Sequence, residues 1–74
     1  MKTLDDLKLG QTGVVSRLGS SGALRRRIID MGITPGATVR KLKTAPFGDP
    51  IVIIVRGYEL SLRVSEAKEI FLED

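Results

Sequence analysis

The side chains available for chemistry are few in kind. The chain has no cysteine and no histidine. A thiol nucleophile, a disulfide framework, a Cys/His zinc site and an imidazole acid–base pair are therefore excluded. Its carboxylates (Asp5, Asp6, Asp30, Asp49, Glu59, Glu66, Glu69, Glu73 and Asp74) show no tight ligand spacing. Glu66 and Glu69 stand three apart with Lys68 between them. A transition metal without histidine or thiolate needs several carboxylates to converge before it is held well. Ser61 and Ser65 have no histidine to activate them, and the phosphate-loop pattern GxxxxGK[ST] is missing. The chain thus reads as a non-enzyme, with no catalytic residue, no metal ligand and no cofactor expected.

What remains is guanidinium chemistry. Arg25, Arg26 and Arg27 run directly into the apolar pair Ile28–Ile29 in the stretch RRRIIDMGITPG. Arginine beside an exposed aliphatic side chain suits a protein docking spot better than a phosphate site. The net charge of +3 favours an anionic partner only mildly. Binding single-stranded nucleic acid needs aromatic stacking platforms, and only Phe47, Tyr58 and Phe71 are present. GSSG (residues 19–22) resembles a KH-type GXXG loop but follows a strand rather than a helix. No nucleic-acid partner is expected.

The arginines must be positioned by a helix. Ser20 or Ser21 can cap it, and Leu24, Ile28 and Met31 recur at i, i+4 and i+7 as one inward stripe. If Met31 is buried, Met31→Ala costs about 2–5 kcal/mol. Gly32 sits where a left-handed stop belongs, and Pro35 and Gly36 follow at once. At roughly 100° per residue, Arg27 flanks the stripe, and Arg26 shares the far face with Asp30 as an i,i+4 pair. Arg25, Arg26 and Ile29 then form an exposed mixed patch.

Around this helix the sequence breaks into short strands. Thr3 and Asp6 have capping-box spacing, with Leu4 and Leu7 pointing inward. Residues 12–19 read as a first strand and 36–45 as a second, with a bulge or bend expected near Arg40–Lys41 because Val39 and Leu42 break alternation. The proline-bounded PFGDP (46–50) is a loop with Phe47 at its tip, as a core plug or as an anchor for a partner. IVIIV (51–55) is a third strand. YELSLR (58–63) is a fourth, with Tyr58, Leu60 and Leu62 inward and Glu59, Ser61 and Arg63 outward. Arg56–Gly57 between them suits a type I turn with a bulge. Ser65 can cap a single helical turn before a last strand, EIFLE (69–73). The expected fold is mostly β: an SH3-like barrel of about five strands, one helix after the first strand and a one-turn helix before the last. An OB-like barrel is the alternative. Residues 1–74 read as a single domain. No apolar run approaches the roughly 20 residues that cross a bilayer. The opening MKTLDDLKLG has no apolar signal segment, so a cytoplasmic location is expected.

Three blocks, in order, resemble the FeoA family. Leu24, Arg27, Ile28, Asp30, Met31, Gly32, Ile33, Pro35 and Gly36 follow the family's pattern L..RL.dMGi.pG. Ala45 to Pro50 and Arg56-Gly57-Tyr58 with Leu60, Leu62 and Arg63 form the second block. Glu66-Ala67 with Ile70 forms the third. Ile28 stands where the family often has Leu, and Arg25 and Arg26 lie outside its core pattern. The resemblance implies an SH3-like barrel related to the C-terminal domain of iron-dependent repressors. It also implies a role beside FeoB, a bacterial membrane ferrous-iron transporter with a GTPase domain. Metal binding is implied at family level only. On this reading the chain is a non-enzymatic adaptor that reaches the membrane only through its partner, with Arg25, Arg26, Ile29 and Phe47 as its contact residues. A small basic nucleic-acid-binding or metal-responsive module is the alternative.

Overall fold

The computed structural model describes residues 2–74. A 3-10 turn at Leu4–Asp6 precedes β1 (Thr12–Leu18), α1 (Gly22–Asp30), β2 (Thr38–Thr44), β3 (Ile51–Val55), β4 (Tyr58–Leu62), α2 (Val64–Ala67) and β5 (Ile70–Leu72). The strands make one antiparallel sheet in the order β4-β3-β2-β1-β5. β1 changes partner along its length: Thr12 to Val14 pair with β2, and Val15 to Leu18 pair with β5 across a register shift between Val15 and Arg17. A bulge in a shared strand adds twist, and this one carries the sheet round toward closure.

The core is aliphatic. Val15, Ile28, Ile33, Val39, Ile51, Ile53, Val55, Leu62, Ile70 and Leu72 are buried together with Leu4 and Leu7. Strict alternation in β3 buries Ile51, Ile53 and Val55 and leaves Val52 and Ile54 half-buried. α1 contributes Ile28 as its one fully buried residue. Leu24 and Met31, expected inside, are half-buried and pack against the core one turn before and one turn after Ile28, the single side chain of α1 that is fully inserted. Leu60 is likewise half-buried, whereas Leu62 is buried.

The structure corrects several expectations. Tyr58 is 54% exposed rather than in the core. It is the first residue after the β3–β4 turn, and its hydroxyl lies close to Gly32 instead of pointing inward. That turn is also different in kind. Arg56 (φ 51°) and Gly57 (φ 87°) are both left-handed, and Val55 pairs directly with Tyr58, which makes a two-residue type I′ hairpin without a bulge. The β2 bulge falls between Lys41 and Lys43, slightly beyond the expected position. Lys41, just before the bulge, keeps the alternation of buried Val39 and so faces inward, with its ammonium donating to the Asp5 carbonyl at 3.1 Å. The Thr3–Asp6 box forms as expected, with the Thr3 N–H donating to Asp6 Oδ2 at 2.9 Å. α2 is capped differently: Arg63 holds the cap position, its N–H donates to Glu66 Oε1 at 2.9 Å, and Ser65 is exposed.

Candidate docking surface

α1 has two unlike sides. On its inner side, Arg27 Nη1 meets Glu66 Oε2 at 2.9 Å. Glu66 is buried, and its other oxygen already accepts the Arg63 N–H, so the carboxylate is satisfied at both ends. This ion pair ties α1 to α2. Sequence reading missed it because the partners belong to different elements. The one signal was a Glu at the third position of a short helix, where a reciprocal cap belongs.

The C-terminus of α1 is closed by backbone and by a distant arginine. Gly32 N–H donates to the Ile29 carbonyl at 2.9 Å and Ile33 N–H to the Ile28 carbonyl at 3.2 Å, a Schellman closure with Gly32 at φ 91°. Gly32, expected as the stop, therefore does that work. Arg56 Nε donates to the Gly32 carbonyl and Arg56 Nη2 to Thr34 Oγ1, each at 3.0 Å. A Cβ on Gly32 would stand 3.1 Å from Arg56 Cδ. The left-handed backbone at Arg56 thus aims its guanidinium at the helix end, where positive charge also complements the dipole. Gly36 donates to the Val15 carbonyl at 2.7 Å and turns the chain into β2, while Pro35 is exposed at that turn.

The outer side of α1 carries the expected patch. Arg25 and Arg26 are exposed and Ile29 is half-buried, and with Gly22 and Ala23 they line an open groove of about 720 Å³. The Arg26–Asp30 pair does not form, whereas the adjacent Arg27 pairs with Glu66. Arg25 and Arg26 make no hydrogen bond or ion pair with any described residue.

Phe47 is 98% exposed, so it is not a core plug. Its loop is ordered nonetheless. Gly48 N–H donates to the Ala45 carbonyl at 2.8 Å, Ala45 N–H to the Pro50 carbonyl at 2.9 Å, and Val64 N–H to Asp49 Oδ1 at 3.1 Å. Pro46 and Phe47 take the two central positions of a turn whose backbone is already fixed. A second groove of about 460 Å³ lies between this loop, α1 and the end of β4, lined by Arg27, Asp49, Pro50, Ser61, Leu62, Arg63 and Glu66. The loop therefore shares a groove with the inner side of α1. The Arg25–Arg26–Ile29 groove has other walls, so the four expected contact residues fall into two patches.

Three of the nine carboxylates are engaged in the fold. Asp6 is bonded to Thr3, Asp49 to Val64 and Glu66 to Arg27 and Arg63. The Thr3 backbone N–H holds the Asp6 carboxyl below its usual value. No three metal-binding side chains cluster among the described residues, so the donor set does not fit a resident metal.

A curved five-stranded antiparallel sheet, a helix after the first strand and a short helix before the last define the small SH3-like barrel class. A FeoA domain profile matches residues 2–74, and the chain belongs to the FeoA family, which is associated with ferrous iron transport. It is 34% identical over 70 residues to a fusion of Fe(2+) transport protein A with the Fe(2+) transporter FeoB from Porphyromonas gingivalis, covering 95% of this chain and 8% of that protein. The solution structure of iron(II) transport protein A from Clostridium thermocellum superposes with a TM-score of 0.93 at 35% identity, over 97% of this chain and 44% of that one. A FeoA from Stenotrophomonas maltophilia, solved with zinc and described as a prokaryotic SH3 domain protein, gives 0.87 at 30% identity, over 99% and 91%. No helix among the described residues is long and apolar enough to cross a membrane.

Proposed function

We propose that the chain is a non-enzymatic adaptor that binds the cytoplasmic side of a FeoB-type ferrous-iron transporter. There it influences the transporter's assembly or nucleotide turnover. The observation that carries this reading is the outer side of α1, where two arginines without partners among the described residues flank a half-exposed isoleucine. Such a surface gains by being covered, because arginine around an apolar centre is a hot-spot composition. The fusion relative supports the choice of partner, since one chain there carries a FeoA and a FeoB part. Phe47, held out on a fixed turn, gives a second point of contact whose ordering cost is already met by the fold.

The test is a titration of the chain against the full-length transporter in nanodiscs. Ile29→Asp with Arg25→Ala and Arg26→Ala lowers affinity at least about 100-fold, since a charge replaces the apolar centre and both cations go. Unchanged binding by this triple variant sinks the assigned surface.

A further inference from the structure

The two edges of the sheet are not alike. The β5 edge is covered: Thr3 bridges to Phe71, and Leu72 N–H donates to the Lys2 carbonyl at 2.9 Å. The β4 edge has no such cover among the described residues. In a two-residue hairpin the flanking residues, here Val55 and Tyr58, form the bonded pair, and bonded pairs recur at every second residue. The register Val55↔Tyr58, Ile53↔Leu60 and Ile51↔Leu62 therefore turns the backbone groups of Tyr58, Leu60 and Leu62 toward β3. Those of Glu59 and Ser61 turn outward. Both residues are exposed, and no backbone bond from another element among the described residues reaches them.

We infer that the β4 edge receives an extended segment of the transporter as a sixth strand, an assignment that rests on the proposed partner above. Glu59 and Ser61 offer two N–H donors and two carbonyl acceptors, the pattern by which an added strand is held. The edge continues at Leu62 into the groove beneath α1, where Arg27 is already paired with Glu66 and Arg63 is the cation left to meet an incoming carboxylate. Glu66 is engaged by Arg27 and Asp49 by the Val64 N–H, and the Arg63 side chain has no partner among the described residues. The fitting segment is therefore extended, with a neutral or basic residue opposite Glu59 and an acidic residue beside Arg63. A second copy of this chain fits less well. Each copy would bring a net charge of +3, so two copies repel where a segment carrying an acidic residue is attracted.

The experiment is residue-resolved amide hydrogen exchange on the whole chain, alone and with the full-length transporter in nanodiscs. Alone, the Glu59 and Ser61 amides exchange fast while the Leu60 amide is protected. In the complex, Glu59 and Ser61 slow by at least about 100-fold. Ser61→Pro, which removes an outward N–H that β3 does not use, keeps the fold and weakens binding about tenfold or more. A complex in which the Glu59 and Ser61 rates are unchanged overturns the edge assignment and leaves the adaptor reading intact. Absence of any complex overturns both. Slowing in the concentrated chain without transporter reassigns the edge to a second copy and overturns the partner named here.

Discussion

Two sets of arginines in this molecule do opposite work. Arg27 and Arg56 are fixed, one to buried Glu66 and the other to Gly32 and Thr34, and each joins α1 to a different part of the barrel. Arg25 and Arg26, next to Arg27 in the chain, make no hydrogen bond or ion pair with any described residue. A helix turn separates structural charge from available charge by angle alone. The difference shows that a run of like residues is not one feature: its members divide according to the face on which each falls.

The sharpest way to break this contrast lies in the adjacent isoleucines. Ile28→Ala costs about 2–5 kcal/mol, because the side chain is fully buried and leaves a cavity. Ile29→Ala on the half-exposed face costs less than about 1 kcal/mol. Met31→Ala falls toward the low end of the first range, since its partial exposure reduces the cavity left behind. Urea unfolding of the three variants decides it, and equal losses at Ile28 and Ile29 would erase the distinction between the faces.

A smaller effect separates the arginines themselves. Arg27→Ala removes one of the two partners of the buried Glu66 carboxylate and costs about 1–2 kcal/mol, tempered by the solvent open to Arg27. Arg25→Ala and Arg26→Ala stay within about 0.5 kcal/mol of the parent. Thermal melts of the three single variants are the comparison. A destabilised Arg26→Ala would mean that the outer face is structural after all.

The smallest effect is acid sensitivity at the opening turn. The Asp6 carboxyl is held below its ordinary value in the folded chain, chiefly by the Thr3 backbone N–H. Its contribution is fully present above the unfolded value and is lost as pH falls through the folded one, so the loss begins below about pH 5. Asp6→Ala flattens that part of the stability–pH curve slightly. An identical acid limb in the two proteins would remove Asp6 from the account.

Much of the fold was legible because its signals are local. The stripe of Leu24, Ile28 and Met31, the Gly32 stop and the Thr3–Asp6 box all act within one or two turns of chain. β3 and the fourth strand were legible as apolar and alternating runs between turn residues. Tyr58 was misread because alternation says which residues share a face. It does not say how far that face is covered at the end of a strand. The I′ turn was missed because an arginine in left-handed backbone looks unfavourable until its guanidinium is seen bonded to Gly32 and Thr34.

By itself the sequence excluded thiol and imidazole chemistry, placed the helix and its stop, and set the SH3-like order of strands. Those outcomes depend on residue type and on neighbours a few positions away. Only the tertiary structure decided that Glu66 would take Arg27, that Lys41 would be buried, and that one sheet edge would be closed and the other left open. Each of these depends on register and curvature, which bring together residues far apart in the chain. No local pattern encodes that juxtaposition.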